Sequence, residues 1–144
     1  MRSIIGKCHC RNIEFEFRRP DCGTEMPVRA CSCTFCMKHG GVYTSHAEGQ
    51  LNVWLSAPTL VNRYAFGTKT AEFFICTRCG VVPFVKSTID GKDYAVVNVN
   101  TFENVDRSEL RSSVTDFEGE GVEERLERRK RTWISRVTVK DRYT

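Results

Sequence analysis

The sequence predicts a mainly β fold with one short helix near the C-terminus. Apolar and polar residues alternate in several short runs, turn-forming residues separate those runs, and helical spacing shows only late in the chain. Ile13, Phe15 and Phe17 alternate with Glu14 and Glu16, the pattern of a half-buried strand. Pro20, Gly23 and Pro27 mark a loop, and Gly40-Gly41 breaks the chain again. Leu51, Val53 and Leu55 alternate with Asn52, Trp54 and Ser56. The run 71–75 is β-rich and leads into Cys76. The run 94–99 follows the turn signal Asp90-Gly91. Val122, Leu126 and Trp133 return to nearly one face of a helix, expected over about 120–135. Its acids, Glu123, Glu124 and Glu127, precede Arg128 through Arg131, an order that suits the helix dipole. Val137-Thr138-Val139 reads as a final strand.

With 144 residues the chain is expected to form one domain, 1–144, with a core of its own. No apolar run is long enough to span a membrane, and no apolar leader precedes the first cysteine motif, so a cytoplasmic location is expected. The net charge of +4 permits an anionic small molecule and does not call for nucleic acid.

Seven of the eight cysteines carry the chemistry. Cys8-His9-Cys10 is a C-x-C pair, and Cys76-Thr77-Arg78-Cys79-Gly80 is a C-x-x-C pair followed by glycine. Zinc takes four ligands in a tetrahedron, so two such pairs complete one structural site. The competing reading is a disulfide or unrelated buried thiols, which a reducing compartment disfavours. Cys31, Cys33 and Cys36 form a C-x-C-x-x-C triplet. Three protein ligands with an open position is the arrangement of a catalytic zinc; a fourth ligand from Cys22, His39 or His46 would instead close it. Thiolate ligands favour zinc and softer metals, and suit a sulfur-bearing substrate. Cys22 reads as a spare loop thiol, and His9 as pointing away from the metal.

The order of these motifs resembles the glutathione-dependent formaldehyde-activating enzyme family, which includes centromere protein V. The residues that carry the resemblance are Gly6-Lys7-Cys8-His9-Cys10, the triplet 31–36, Tyr64-Ala65-Phe66-Gly67-Thr68, and the run 76–84 ending in Pro83-Phe84. It spans about residues 4–103, leaving a C-terminal extension with the helix. The resemblance implies an Mss4-like fold of antiparallel β-sheets around a structural zinc. It assigns that zinc to Cys8, Cys10, Cys76 and Cys79, and a second, catalytic zinc to Cys31, Cys33 and Cys36. It implies carbon–sulfur lyase chemistry: reversible joining of glutathione to formaldehyde, giving S-hydroxymethylglutathione, with a small thiol as partner. Two departures stand out. Arg11-Asn12 replaces a glycine common after the first C-x-C, and Met37-Lys38-His39 follows the triplet where arginine-rich sequence is common.

The alternative reading is a non-catalytic zinc module for a protein partner, since fold does not fix function. Nucleic-acid binding through Arg125 and Arg128–Arg131 is disfavoured, because glutamates dilute the run and no stacking aromatics accompany it. His39 and His46 are the nearest proton-transfer candidates, with hydrogen-bonded or surface histidine as the competing reading. Tyr64 and Phe66 line a pocket by analogy, or pack the core. Arg11, Lys38 and Arg78 are cations close to the clusters in sequence.

Overall fold

A computed structural model describes residues 1–20, 25–117 and 119–143. The strands, in chain order, are β1 (Arg2–Lys7), β2 (Ile13–Arg19), β3 (Met26–Cys31), β4 (Val42–Thr44), β5 (Gln50–Leu55) and β6 (Val61–Tyr64). They continue with β7 (Glu72–Cys76), β8 (Phe84–Ile89), β9 (Lys92–Asn98), β10 (Leu110–Thr115) and β11 (Arg136–Asp141). Two α-helices accompany them, α1 (Thr34–His39) and α2 (Val122–Thr132).

The strands form a four-stranded sheet, β1-β2-β5-β11, and a seven-stranded sheet, β10-β3-β4-β9-β8-β7-β6. The alternation predicted for β2 and β5 holds: Ile13, Phe15, Phe17, Leu51, Val53 and Leu55 are all buried. They share one core with Phe74, Phe84, Ala95 and Val97 of the larger sheet. Burying a side chain of this size contributes about 1.5–3 kcal/mol. Phe15 lies so close over Gly6 that a Cβ there would sit 2.0 Å from Phe15 Cζ.

Period-two geometry sends the neighbours of these residues to the other face of the seven-stranded sheet. Phe73, Val85, Tyr94 and Val96 form a second cluster with Cys36, Tyr43 and Trp133. The larger sheet is therefore covered on both faces, and five consecutive residues of β9, Tyr94 through Asn98, are buried. The Asp90-Gly91 signal forms a two-residue hairpin between β8 and β9, with φ of 52° and 78°. Two left-handed residues in succession are the geometry of a type I′ turn.

Four features differ from expectation. The sheets are antiparallel except at two edges, where β10 pairs in parallel with β3 and β11 in parallel with β5. Pro27 lies inside β3 and not in a loop. β4 pairs with β3 only at Arg29 and Ala30, so a residue without an N–H is tolerated there, and the Pro27 carbonyl accepts from Thr44 Oγ1 (2.8 Å). Helix also occurs early, as α1 over the triplet, where six residues are too few for a periodic signal.

Helix α2 is shorter than expected, and its buried face is not Val122–Leu126–Trp133. Val122 is 46% exposed, Leu126 is half-buried, and Trp133 lies at the C-cap. The buried residue within α2 is Arg129. Its Nη1 donates to Thr70 Oγ1 (2.9 Å) and Ser87 Oγ (3.1 Å), so the sheet receives a hydrogen-bonded guanidinium instead of an aliphatic side chain.

Candidate functional site

The four predicted structural ligands come from two similar turns. After β1, Cys8 N donates to Ile13 O (2.9 Å); after β7, Cys76 N donates to Val81 O (3.0 Å). Each turn thus closes across five residues and presents one buried and one partly exposed cysteine: Cys8 with Cys10, Cys76 with Cys79. Gly80 supplies the left-handed residue of the second turn (φ 81°), and its N–H reaches Cys76 O (2.7 Å). In the first turn that role falls to Arg11, with φ of 69°. The departure from glycine seen in the sequence is therefore a side chain held in a conformation L-residues avoid. Asn12 braces the turn, accepting from Ala57 N (2.6 Å) and donating to Ala57 O (3.1 Å).

The ligand atoms of Cys8, Cys10, Cys76 and Cys79 all lie within 4.8 Å of one another. The Cys8–Cys10 sulfurs are 3.8 Å apart and the Cys10–Cys76 sulfurs 3.4 Å. Four sulfurs in a tetrahedron at the zinc–sulfur distance would stand about 3.8 Å apart, so the donor set fits zinc. Without metal the thiols divide. Burial pushes Cys8 up to about 12 and raises Cys76 as well. Burial also works against ionisation of Cys79, but backbone N–H groups of Cys10 and Val81 outweigh it and bring this thiol to about 6.

Cys31, Cys33 and Cys36 also gather within 4.8 Å, and among the described residues no fourth His, Cys, Asp or Glu joins them. Cys31 ends β3, Cys33 is the N-cap of α1, and Cys36 lies inside the helix. Cys33 Sγ accepts from Cys36 N (3.4 Å), so the capping bond that starts the helix also orients a sulfur. A hydrogen bond from Cys36 brings Cys31 down to about 5 despite burial, with Arg128 adding a smaller favourable charge. The same bond, with burial, raises Cys36. Tyr43 Oη lies 3.6 Å from Cys36 Sγ and 3.2 Å from His39 Nε2. Burial raises the Tyr43 hydroxyl well above its ordinary value and lowers His39.

The triplet lines a cavity of about 420 Å3. Phe66, Phe73, Val85, Val96 and Trp133 form its apolar wall. Arg29, Arg125, Arg128 and Arg129 also line it. Arg128 stacks 3.6 Å over Phe117, and both Arg125 and Arg128 pair with Glu120. Arg129 lies over the Trp133 ring, and burial beside Arg128 and Arg125 lowers it to about 10.

Several sequence expectations are relocated by this arrangement. His9 is exposed. His46 accepts from Glu48 N and does not join the triplet; His39 reaches it only through Tyr43. Cys22 lies outside the described residues. Phe66 and Thr68 line the cavity, whereas Tyr64 is 41% exposed and stacks on Phe66. Arg11 and Arg78 line a separate open depression beside Cys10. The cavity's cations come instead from Arg29 and from the basic run read as a weak nucleic-acid signal. Tyr43 and Arg29 carried no signal of their own, because strand pairing alone brings them to the triplet.

No helix among the described residues is long and apolar enough to cross a membrane. No curated protein matches the chain. A solved structure of a Rhodobacter sphaeroides protein aligns with a TM-score of 0.53 at 23% identity, covering 76% of this chain and 99% of that one, which speaks to the fold alone. The family model described as glutathione-dependent formaldehyde-activating enzyme matches residues 3–120. That span holds both cysteine clusters and most of the two sheets, and the chain belongs to this family.

Proposed function

We propose that the chain is a zinc-dependent carbon–sulfur lyase-type enzyme acting on a glutathione-like thiol or its aldehyde adduct, in the manner of an S-hydroxymethylglutathione synthase. One observation carries this reading: three cysteine sulfurs converge on a cavity wall with no fourth such ligand among the described residues. A zinc ion held by Cys31, Cys33 and Cys36 would supply the positive charge that keeps a substrate thiol ionised near neutral pH. Cys8, Cys10, Cys76 and Cys79 hold the structural zinc in this reading.

The chain's own residues bind, dry and orient. Phe66, Phe73 and Trp133 exclude water from the space beside the sulfurs, which strengthens every polar interaction there. Tyr43 keeps its proton on Oη and lies within hydrogen-bond reach of both Cys36 Sγ and His39 Nε2, which orients Cys36 beside the cavity. With reactants held in place, orientation contributes more than polarisation, since three thiolates already offset the metal's charge. A reducing, cytoplasmic setting and a single domain over 1–144 complete this reading.

Cys33→Ser tests the reading. Its zinc content should fall from two per chain to one, and formaldehyde-plus-glutathione adduct formation should be lost with the melting temperature nearly kept. Full activity in that variant would sink the catalytic assignment and leave a non-catalytic zinc module.

A further inference from the structure

Among the described residues, the cavity is lined by more basic than acidic side chains. Four arginines line it, and Asp116 is the acidic residue on its described wall. Glu120, just outside, is shared between Arg125 and Arg128. Guanidinium groups this close repel one another unless an anion lies between them. The wall also contains donors without acceptors. Among the described residues, three buried side-chain nitrogens lack a partner, and two of them, Arg129 Nε and Trp133 Nε1, belong to residues lining this cavity. Arg129 and Trp133 are 7% and 6% exposed. Buried N–H groups are normally satisfied, so two open donors on residues lining one cavity point to an acceptor from outside the described residues.

Position in the chain adds a third point. Arg125, Arg128, Arg129 and Trp133 all lie beyond residue 120, where the match to the family ends. The sulfur end of the cavity lies within the family match, whereas most of its basic end lies beyond it.

We propose that the basic wall is a carboxylate subsite, with Arg129 and Trp133 as its donors and Arg29 and Arg128 beside them, binding the acidic end of a thiol whose sulfur lies at the triplet. This rests on the function proposed above for the sulfur end. An oxyanion on a flat guanidinium edge is the strong charge-assisted contact, and a second donor from the indole fixes its orientation. The cavity thereby selects thiols that carry a carboxylate at a distance from the sulfur. Neutral thiols reach the sulfurs and leave the cationic wall uncompensated.

The test uses S-methylglutathione, which keeps both carboxylates but has its sulfur capped, measured by calorimetry on the zinc-loaded protein. It should bind the native chain and Cys33→Ser alike, and its diethyl ester should bind at least tenfold more weakly. Arg129→Lys should weaken the acid about 10- to 100-fold, as expected for a charge-assisted hydrogen bond to a buried partner. Should that variant fold poorly, Trp133→Phe keeps a ring and removes only the donor, with a loss of about fivefold expected. Equal binding of acid and ester would overturn the subsite, as would full affinity in folded Arg129→Lys. Inorganic phosphate binding as tightly as S-methylglutathione would also overturn it, by showing a general anion site. Failure of the sulfur reading shows differently: glutathione and S-methylglutathione would then bind alike, while the discrimination between acid and ester persists.

Discussion

The two cysteine clusters lie on opposite faces of the seven-stranded sheet and meet different surroundings. Cys8 and Cys76 are part of the core between the sheets, packed with Phe74, Phe84 and Val97. Cys36 belongs to the cluster on the far face, with Tyr43, Phe73 and Trp133, and its neighbours Cys31 and Cys33 border a cavity. The first cluster joins the turn after β1 to the turn after β7, two segments far apart in sequence. The second draws all its sulfurs from six consecutive residues, so it closes no long loop. Loop closure between distant segments is where a metal contributes most to folding. A local triplet can be loaded or empty with the sheets intact. In the function proposed above, the same ligand type thus serves folding at one address and chemistry at the other.

The largest expected contrast comes from removing one ligand at each site. Cys76→Ser should uncouple a metal contribution of about 10–16 kcal/mol and leave a chain that melts without cooperativity or fails to fold. Cys33→Ser should shift the melting temperature by only a few degrees, about 2–4 °C per kcal/mol in a chain of this size. Comparable unfolding in both variants would break the distinction.

Asn12→Ala sharpens it by attacking the first turn without touching a ligand. Both amide bonds to Ala57 are lost at a site 2% exposed, for a destabilisation of about 2–3 kcal/mol in chemical denaturation. Zinc affinity at the triplet should be unchanged, and a shift there would show that the two sites are coupled.

Proton release separates the sites by count. At pH 7 Cys8 and Cys76 lie above the solution pH and are protonated before metal arrives, so filling the four-cysteine site should release at least two protons. Cys31, at about 5, is already ionised and releases none, whereas Cys36 releases one. As pH falls through 5, Cys31 takes up a proton and zinc must then displace it, so affinity at the triplet should drop there. Calorimetry in buffers of different ionisation enthalpy reads both quantities.

The smallest effect should come from Arg11→Gly. Relief of a left-handed side chain, less the greater freedom of glycine in the unfolded chain, should stabilise by about 0.5–1 kcal/mol. A loss of stability would mean that the Arg11 side chain does something for the first turn that its backbone angle hides.

Much of the inter-sheet core was legible in the sequence, because β2 and β5 are half-buried and show a plain alternation. The Asp90-Gly91 hairpin was legible because two left-handed residues admit few amino acids. Both cysteine groupings were legible because spacing limits which sulfurs can meet. What escaped was whatever depends on partners distant in the chain. Strand β10, Leu110–Thr115, is mostly exposed and gains its order from β3, so no burial pattern marks it. The buried side of α2 escaped because hydrophobic periodicity does not register a buried arginine, and Arg129 is held by Thr70 and Ser87. The cavity escaped for the same reason: its basic wall and its sulfurs meet only after α2 folds back over the larger sheet.

The two parallel edge strands set an order of assembly during synthesis. The open side of β5 waits for β11, and most of β3 waits for β10. Until residues 110–141 leave the ribosome, both sheets present unpaired backbone of the kind that recruits other chains. At about 5–20 residues per second, each edge stays open for about 4–17 seconds. The cysteine-bearing segments emerge earlier, so metal capture at the four-cysteine site can precede completion of both edges. The nascent chain would then acquire its structural ion first and its finished cavity last.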